Sequence, residues 1–257
     1  MAVNDRHHGE ERGPADLRPV RLTPDFVGTA YGSVLFEIGS TRVLCTASLT
    51  NGVPRRLRGT GTGWLTAEYS LLPGSTVERT SREAVQGRQG GRTVEIQRLI
   101  GRSLRAVTDL TQLGERTVYI DCDVIEADGG TRCAAVSGGY VALHLALKRA
   151  VDERLIGALP LTDSVAAVSV GVVAGMPMLD LDYAADSAAD VDMNVVMTGS
   201  GRLIEVQATA EKEPFDRGTL EQLLDLAGAG IRRIAEEQRA VINAAYLRGP
   251  SRARVSN

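Results

Sequence analysis

The residues from Tyr119 to Gly139, YIDCDVIEADGGTRCAAVSGG, constrain the fold more than any other stretch of the 257-residue chain. Val118, Ile120, Val124 and Ile125 make an apolar, β-branched run that reads as a buried strand. The run stops at Asp128-Gly129-Gly130-Thr131-Arg132, and a helix rich in small residues follows at once. Strand, glycine turn, helix is a geometry that binds anions. Paired glycines allow a tight turn and close backbone approach, and the first N–H groups of the helix point outward without partners. Arg132 adds a planar guanidinium that suits phosphate. An ordinary strand-to-helix turn with an exposed arginine has the same pattern, so the segment by itself leaves both readings open.

The rest of the composition narrows the choice. No apolar run reaches membrane-spanning length and the polar start, Asn4 to Arg12, has no signal-peptide core, so the cytoplasm is the expected compartment. Cys45, Cys122 and Cys133 lie in apolar segments, are odd in number and lack metal-ligand spacing, which predicts buried reduced thiols. A net charge of −3 argues against unselective coating of nucleic acid, but it hides a segregation. From Asn51 to Leu110 ten arginines face five acids, a balance of +5. From Val151 to Ser200 eight acids face Arg154 alone, a balance of −7. One half offers cations to phosphates, and the other offers carboxylates to a metal or a proton. Lys148 and Lys212 are the only lysines. Arginine preference fits bidentate phosphate recognition, and a GC-rich genome produces the same bias.

Along the chain, residues 1–15 are expected to be disordered and Leu17-Arg18-Pro19-Val20 opens an extended segment. Ser33 to Ile38 and Arg42 to Leu49 predict a hairpin about Gly39-Ser40-Thr41, and Trp64 to Leu72 a strand. Pro73 to Gly91, with Arg79, Arg82 and Arg88, reads as a long mobile loop. Ile96, Leu99, Ile100, Leu104 and Val107 recur at helical spacing and predict a helix over Val94 to Val107, with Arg98, Arg102 and Arg105 on another face. Such a row is ordinarily a solvated or salt-bridged face. Gly90-Gly91-Arg92-Thr93 precedes this helix much as Gly129 to Arg132 precedes the next, so two helix starts could grip one phosphate. Asp152 to Asp163 looks like a linker between halves. Val165 to Val173 reads as a strand, residues 175–177 as a turn, Met178 to Tyr183 as a strand, and Ala184 to Asn194 as an acidic loop. Val195 to Thr198 and Leu203 to Ala208 make a hairpin, and a terminal helix runs from Thr219 to Tyr246.

Asp186, Asp190 and Asp192 fall within seven residues. Carboxylates this close repel unless a cation, a shared proton or solvent relieves them. Mg²⁺ fits oxygen ligands in phosphate chemistry, and a carboxylate can also act as general acid to a leaving oxygen. A solvated acidic loop is the ordinary reading, weakened here because Asp192 runs straight into the apolar residues Val195 and Val196.

With these residues assembled, the chain resembles the bacterial ribonuclease PH family from Leu17 to about Leu226. The likeness rests on LRPV (Leu17 to Val20), GSVL (Gly32 to Leu35), VLCTAS (Val43 to Ser48) and GWLTAEYSLLP (Gly63 to Pro73). It continues through GRTVEIQRLIGRSLRAV (Gly91 to Val107), IDCDVIEADGGTR (Ile120 to Arg132), AAVSVGVV (Ala166 to Val173) and DVDMNVV (Asp190 to Val196). The resemblance implies an α/β fold: a β-α-β unit like domain 2 of ribosomal protein S5, followed by a second α/β unit. The expected boundaries are 16–150 for the phosphate- and RNA-binding half, 160–248 for the acidic half and 249–257 for a tail. It further implies a homohexameric ring, a trimer of dimers, that trims the 3′ ends of tRNA precursors. Inorganic phosphate is the co-substrate, nucleoside 5′-diphosphates are the products, and nucleotide addition is the reverse reaction.

Carried over residue by residue, Arg92, Gly130, Thr131 and Arg132 bind phosphate, and Asp186 and Asp192 serve in catalysis and hold Mg²⁺. Arg79 and Arg82 bind RNA, with Arg98 and Arg105 added to that surface. Two proton donors suit the leaving 3′ oxygen, Asp192 and a metal-bound water. The chain departs from the family at Gly74, where an arginine is usual, at Ala184 and Ala185, where acids are usual, and at Ala208, where glycine is usual. Two rival functions remain: a catalytically silent RNA-binding ring subunit, and a hydrolytic two-metal nuclease, which would need more converging carboxylates.

Overall fold

The computed structural model describes residues 12–248. Five strands, β1 (Val20–Pro24), β2 (Gly32–Ile38), β3 (Thr41–Asn51), β4 (Trp64–Leu71) and β5 (Arg116–Glu126), form a sheet in the order β1-β2-β3-β5-β4. The expected hairpin is β2 and β3, and its alternation puts Val34, Phe36, Ile38, Val43, Cys45 and Ala47 into the core. β4 and β5 run parallel, which requires a crossover. The crossover is helix α1 (Gly91–Ala106), followed by the four-residue α2 (Leu110–Leu113), which the sequence does not announce. The apolar stripe of α1, Ile96, Leu99, Ile100 and Leu104, is buried, each residue contributing about 1.5–3 kcal/mol.

Helix α3 (Thr131–Asp152) packs on β2 and β3 with one side and on the second sheet with the other. A helix buried on opposite faces needs small side chains, and the Ala, Gly and Ser residues after Arg132 supply them. A Cβ on Gly138 would lie 2.8 Å from Cys45 Sγ and 2.9 Å from Phe36 Cβ. The second sheet is antiparallel, with β6 (Val165–Val173), β7 (Met176–Leu179), β8 (Val191–Thr198) and β9 (Leu203–Ala210) in the order β7-β6-β8-β9. Helix α4 (Tyr183–Ala188) links β7 to β8, and α5 (Arg217–Arg248) lays Leu223, Ala227, Ile231 and Ile234 against β6 and β1. The three cysteines are free and buried, as expected, and no helix among the described residues is long and apolar enough to cross a membrane.

The structure corrects the sequence reading in three places. The turn expected over 175–177 is at Ala174-Gly175, both with positive φ, and β7 begins at Met176. Pro177 is tolerated there because β7 is an edge strand. The chain leaves β7 at Leu179, so residues 180–182 are not the end of a strand. Asp182 then accepts a 2.8 Å hydrogen bond from the backbone N–H of Ala185 and starts α4 where an acidic loop was expected. Finally, β8 starts at Val191, four residues early, so Asp192 sits inside the sheet, opposite Gly171 and Thr209.

The linker is held in place. Asp109 N–H donates to Pro160 O at 2.8 Å and Thr162 N–H to Val107 O at 2.9 Å. Of the start expected to be disordered, residues 1–11 lie outside the described residues, as does the 249–257 tail. Arg12 and Pro14 are docked: Arg12 donates to Asp180 O at 2.9 Å, and Leu179 N–H donates to Pro14 O at 2.7 Å.

The two halves meet closely at the glycine turn. Gly129 has φ +74, and a Cβ there would lie 2.3 Å from Leu181 O. Gly129→Ala is therefore expected to destabilise the protein by about 2–5 kcal/mol, the sum of left-handed strain and backbone overpacking. Urea unfolding with an unchanged m value would measure it.

Candidate active site

Two helix starts carry arginines that act on the same neighbouring groups, Tyr69, Asp186 and Asp192. α1 begins after Gly90 and α3 after Gly130, and neither has a side-chain cap. The first N–H groups to return into these helices are those of Val94 and Ala134, so the preceding amides remain free to bind an anion. Gly130 takes φ +66, a conformation available to glycine at little cost. Arg92, exposed on the first turn of α1, and Arg132, on the first turn of α3, both act electrostatically on the Tyr69 hydroxyl from the same side of the sheet. Tyr69, buried in β4, hydrogen-bonds its OH to Thr131 Oγ1 at 2.9 Å and so fixes the threonine of the turn. Burial raises the Tyr69 pKa, which keeps its donor proton in place.

The second sheet faces these helix starts with carboxylates. Arg132 Nη1 donates to Gln207 Oε1 on β9 and lies 3.6 Å from Glu95 on α1. Gln207 pairs with Asn194 on β8, two residues from Asp192, and Asn194 Oδ1 accepts from Cys133 Sγ at 3.3 Å. Burial, then repulsion from Asp186, pushes the Asp192 pKa up to about 6, while Arg132 and Arg92 oppose the rise. Burial likewise raises Asp186, again opposed by Arg92 and Arg132. The mutual effects put both aspartates and both arginines within electrostatic reach of one another.

The third member of the acidic cluster does not join them. Asp190 forms a 2.6 Å ion pair with exposed Lys212, which holds its pKa below the ordinary value. Glu211, next to that lysine, instead raises both Asp186 and Asp192, an effect with no signal in the sequence pattern. Asp192 Oδ1 is buried without a hydrogen-bond partner. Among the described residues no group of three or more His, Cys, Asp or Glu has the arrangement of a metal cage. Mg²⁺ needs no such cage when substrate oxygens and waters complete its shell. Two repelling carboxylates, one with an orphaned oxygen, fit that demand.

The other sequence-predicted residues are spread wider. Arg79 and Arg82 stand exposed in the segment between β4 and α1, which contains a single short 3-10 turn, Glu83–Gln86. That turn is tied to α1, because Thr93 Oγ1 donates to Glu83 Oε1 at 2.9 Å. Arg98 is exposed on α1. Arg105 is already engaged: it donates to Leu65 O at 3.0 Å and stacks 4.9 Å from the Trp64 ring, over which Arg56 also stacks at 4.3 Å. It lies about 20 Å along α1 from Arg92 by helix rise. Arg102 pairs with Glu205 of β9 at 2.6 Å, so the arginine row is partly an internal contact between the halves. Tyr69, Gln207 and Glu211 were missed in the sequence because each meets the site through tertiary packing.

Residues 16–148 match the first domain of the 3′ exoribonuclease family and residues 163–230 match the second. A ribonuclease PH of Syntrophomonas wolfei is 56% identical over 233 residues, covering 91% of this chain and 98% of that protein. Among solved structures, rice (Oryza sativa) Rrp46 superposes with a TM-score of 0.73 at 19% identity, covering 90% of this chain and 98% of that one. The Archaeoglobus fulgidus exosome with RNA bound to its active site gives a TM-score of 0.75 at 20% identity, covering 88% of this chain and 90% of that one. These two establish the fold, and the sequence matches establish descent: the chain belongs to the 3′ exoribonuclease family.

Proposed function

We propose that the protein is a phosphorolytic 3′-to-5′ exoribonuclease, a nucleotidyltransferase that acts on the 3′ ends of RNA, tRNA precursors among them. The observation that carries this reading is the pairing of two uncapped helix starts, with Arg92 and Arg132, against Asp186 and Asp192. A hydrolase needs no cradle for a second anion. A silent subunit has no need to retain all four side chains.

In the proposed reaction Arg92 and the Gly130-Thr131-Arg132 turn hold inorganic phosphate. One phosphate oxygen attacks the phosphorus of the last phosphodiester, and the bond from that phosphorus to the 3′ oxygen of the penultimate nucleotide breaks. A nucleoside 5′-diphosphate leaves, and the 3′ oxygen of the shortened RNA takes a proton. Positioning and charge neutralisation do most of the work in such transfers. Asp192, whose pKa burial and Asp186 push up to about 6, is the chain's own donor to that oxygen while its carboxyl carries a proton, a state exclusive of its holding a cation. Asp186 and Asp192 would hold Mg²⁺, which when bound neutralises charge on the transferring phosphoryl group. Phosphate capture falls to the half spanning 16–150 and charge handling to the half spanning 160–248.

Exposed Arg79, Arg82 and Arg98 are assigned to the RNA backbone, with Arg105 shaping the far end of that surface through Trp64. Arg79→Ala should weaken RNA binding at all sequences and reduce the salt slope of log K by about one. Binding titrations at several salt concentrations measure it, and an unchanged slope would remove Arg79 from the RNA contact. A homohexamer in the cytoplasm completes the proposal, supported by exposed Leu203 and Val206 on edge strand β9 and by three buried free thiols. The decisive assay incubates the protein with Mg²⁺ and a single-stranded 3′ tail, with and without phosphate. Diphosphates released only with phosphate are expected. Monophosphates would indicate hydrolysis, and no product a silent subunit.

A further inference from the structure

Arg18 and Asp180 are 162 residues apart in sequence and form a buried ion pair at the seam between the halves. Arg18 donates its backbone N–H and its Nε to Asp180 Oδ2, each at 2.9 Å, and its Nη2 to Asp180 Oδ1 at 2.7 Å. The remaining arm, Nη1, donates to the carbonyl oxygen of Asp128, at the start of the glycine turn. One guanidinium thus holds the turn that opens α3 and the segment that leads into α4. A second tie runs beside it: Asp128 Oδ1 accepts from the backbone N–H of Tyr183, the first residue of α4, at 3.2 Å. Thr41 braces the turn from below, donating its hydroxyl to Gly129 O at 2.7 Å and accepting from Asp128 N–H at 2.9 Å.

The packing leaves little slack between these segments. A Cβ on Gly129 would lie 2.3 Å from Leu181 O, and Asp180, 2% exposed, keeps a left-handed backbone with φ +56. A buried ion pair seldom repays its desolvation as stability, and its better-attested use is to specify one arrangement. Here the arrangement specified has the phosphate cradle on one side and the helix of Asp186 on the other. Lysine has no fork that can span Asp180 and Asp128 together.

We infer that Arg18, through Asp180 and Asp128, is a positioning residue that sets the spacing between the Gly130-Thr131-Arg132 cradle and the Asp186 helix. The inference rests on the function proposed above. Two variants test it, Arg18→Lys and Asp128→Ala. Asp128→Ala keeps the backbone carbonyl that Arg18 holds and the Arg18–Asp180 pair, and removes the partly exposed carboxylate that accepts from Tyr183 N–H and lies 3.7 Å from Arg18 Nη1, so it is expected to fold even where Arg18→Lys does not. Both should raise the KM for phosphate about tenfold or more and shrink the rise in melting temperature that phosphate produces in wild type. A merely structural role would lower melting temperature or kcat per chain at an unchanged phosphate KM and an unchanged phosphate-induced shift, and that result overturns the inference. Wild-type protein that released no diphosphate would count against the proposed function alone. The phosphate-induced melting shifts of the two variants would then still decide whether the clamp sets the cradle.

Discussion

Asp192→Asn is expected to lower turnover by about 10³-fold or more while leaving the fold intact, because in the proposed mechanism it removes the carboxyl that donates the proton or, when ionised, holds the cation. The same substitution should stabilise the protein in the absence of metal and substrate. The folded pKa of Asp192, about 6, is above the value of an unfolded aspartate, so the native state binds the proton more tightly. The stability from that protonated form is fully present below about pH 4 and is lost as pH rises through 6. Asparagine does not titrate. The stability difference between variant and wild type should therefore be smallest near pH 4, grow through pH 6 and level off above pH 7. Its ceiling is about 3 kcal/mol, and partial solvent access reduces the expected gain to on the order of 1 kcal/mol. Parallel denaturant titrations at pH 4, 6 and 8 would measure it. A variant with normal turnover would remove Asp192 from the chemistry, and a gain independent of pH would remove the buried charge from the account.

Arg92→Ala should raise the KM for phosphate about 10–100-fold, the loss of a charge-assisted hydrogen-bonded contact. Arg92 is exposed, so thermal stability should hardly change. Arg92→Lys should recover only part of the affinity, because a point charge replaces a planar fork. Binding of an RNA 3′ tail without phosphate should be nearly unaffected. Steady-state rates over a wide range of phosphate separate these effects, and a variant with lower RNA affinity at unchanged phosphate KM would move Arg92 from the cradle to the RNA path. The contrast with Asp192 is useful: one variant fails for want of the attacking anion, the other for want of charge management after attack.

The parts of this architecture that could be read in the sequence are those governed by local rules. Alternation disclosed β2 and β3, helical spacing disclosed α1, and paired glycines disclosed the turn before Arg132. The run of aspartates disclosed chemistry but not its division, since only the fold pairs Asp190 with Lys212 and turns Asp192 inward. The strand reading of MLDLDY holds for Met178 and Leu179 and fails from residue 180, because the alternation continues in the sequence after the chain has left β7. Asp182 instead caps α4 by accepting from Ala185 N–H. The arginine row on α1 reads in the sequence as a solvated or salt-bridged face, and Arg102 is salt-bridged, but its partner Glu205 and the Trp64 ring beside Arg105 come from elements far away in sequence. The same distance hid Arg18 with Asp180 and Tyr69 with Thr131. Long-range polar pairs leave no periodic trace, and they are what brings the two halves of this site into register.

The most direct test of that register is a crystal structure of the protein with phosphate and manganese, the metal located by its anomalous signal. The account predicts phosphate within about 3 Å of the Arg92 guanidinium and the Thr131 and Arg132 amides, with the metal between it and the carboxylates of Asp186 and Asp192. Phosphate bound away from both helix starts, or a metal held by neither aspartate, would contradict it.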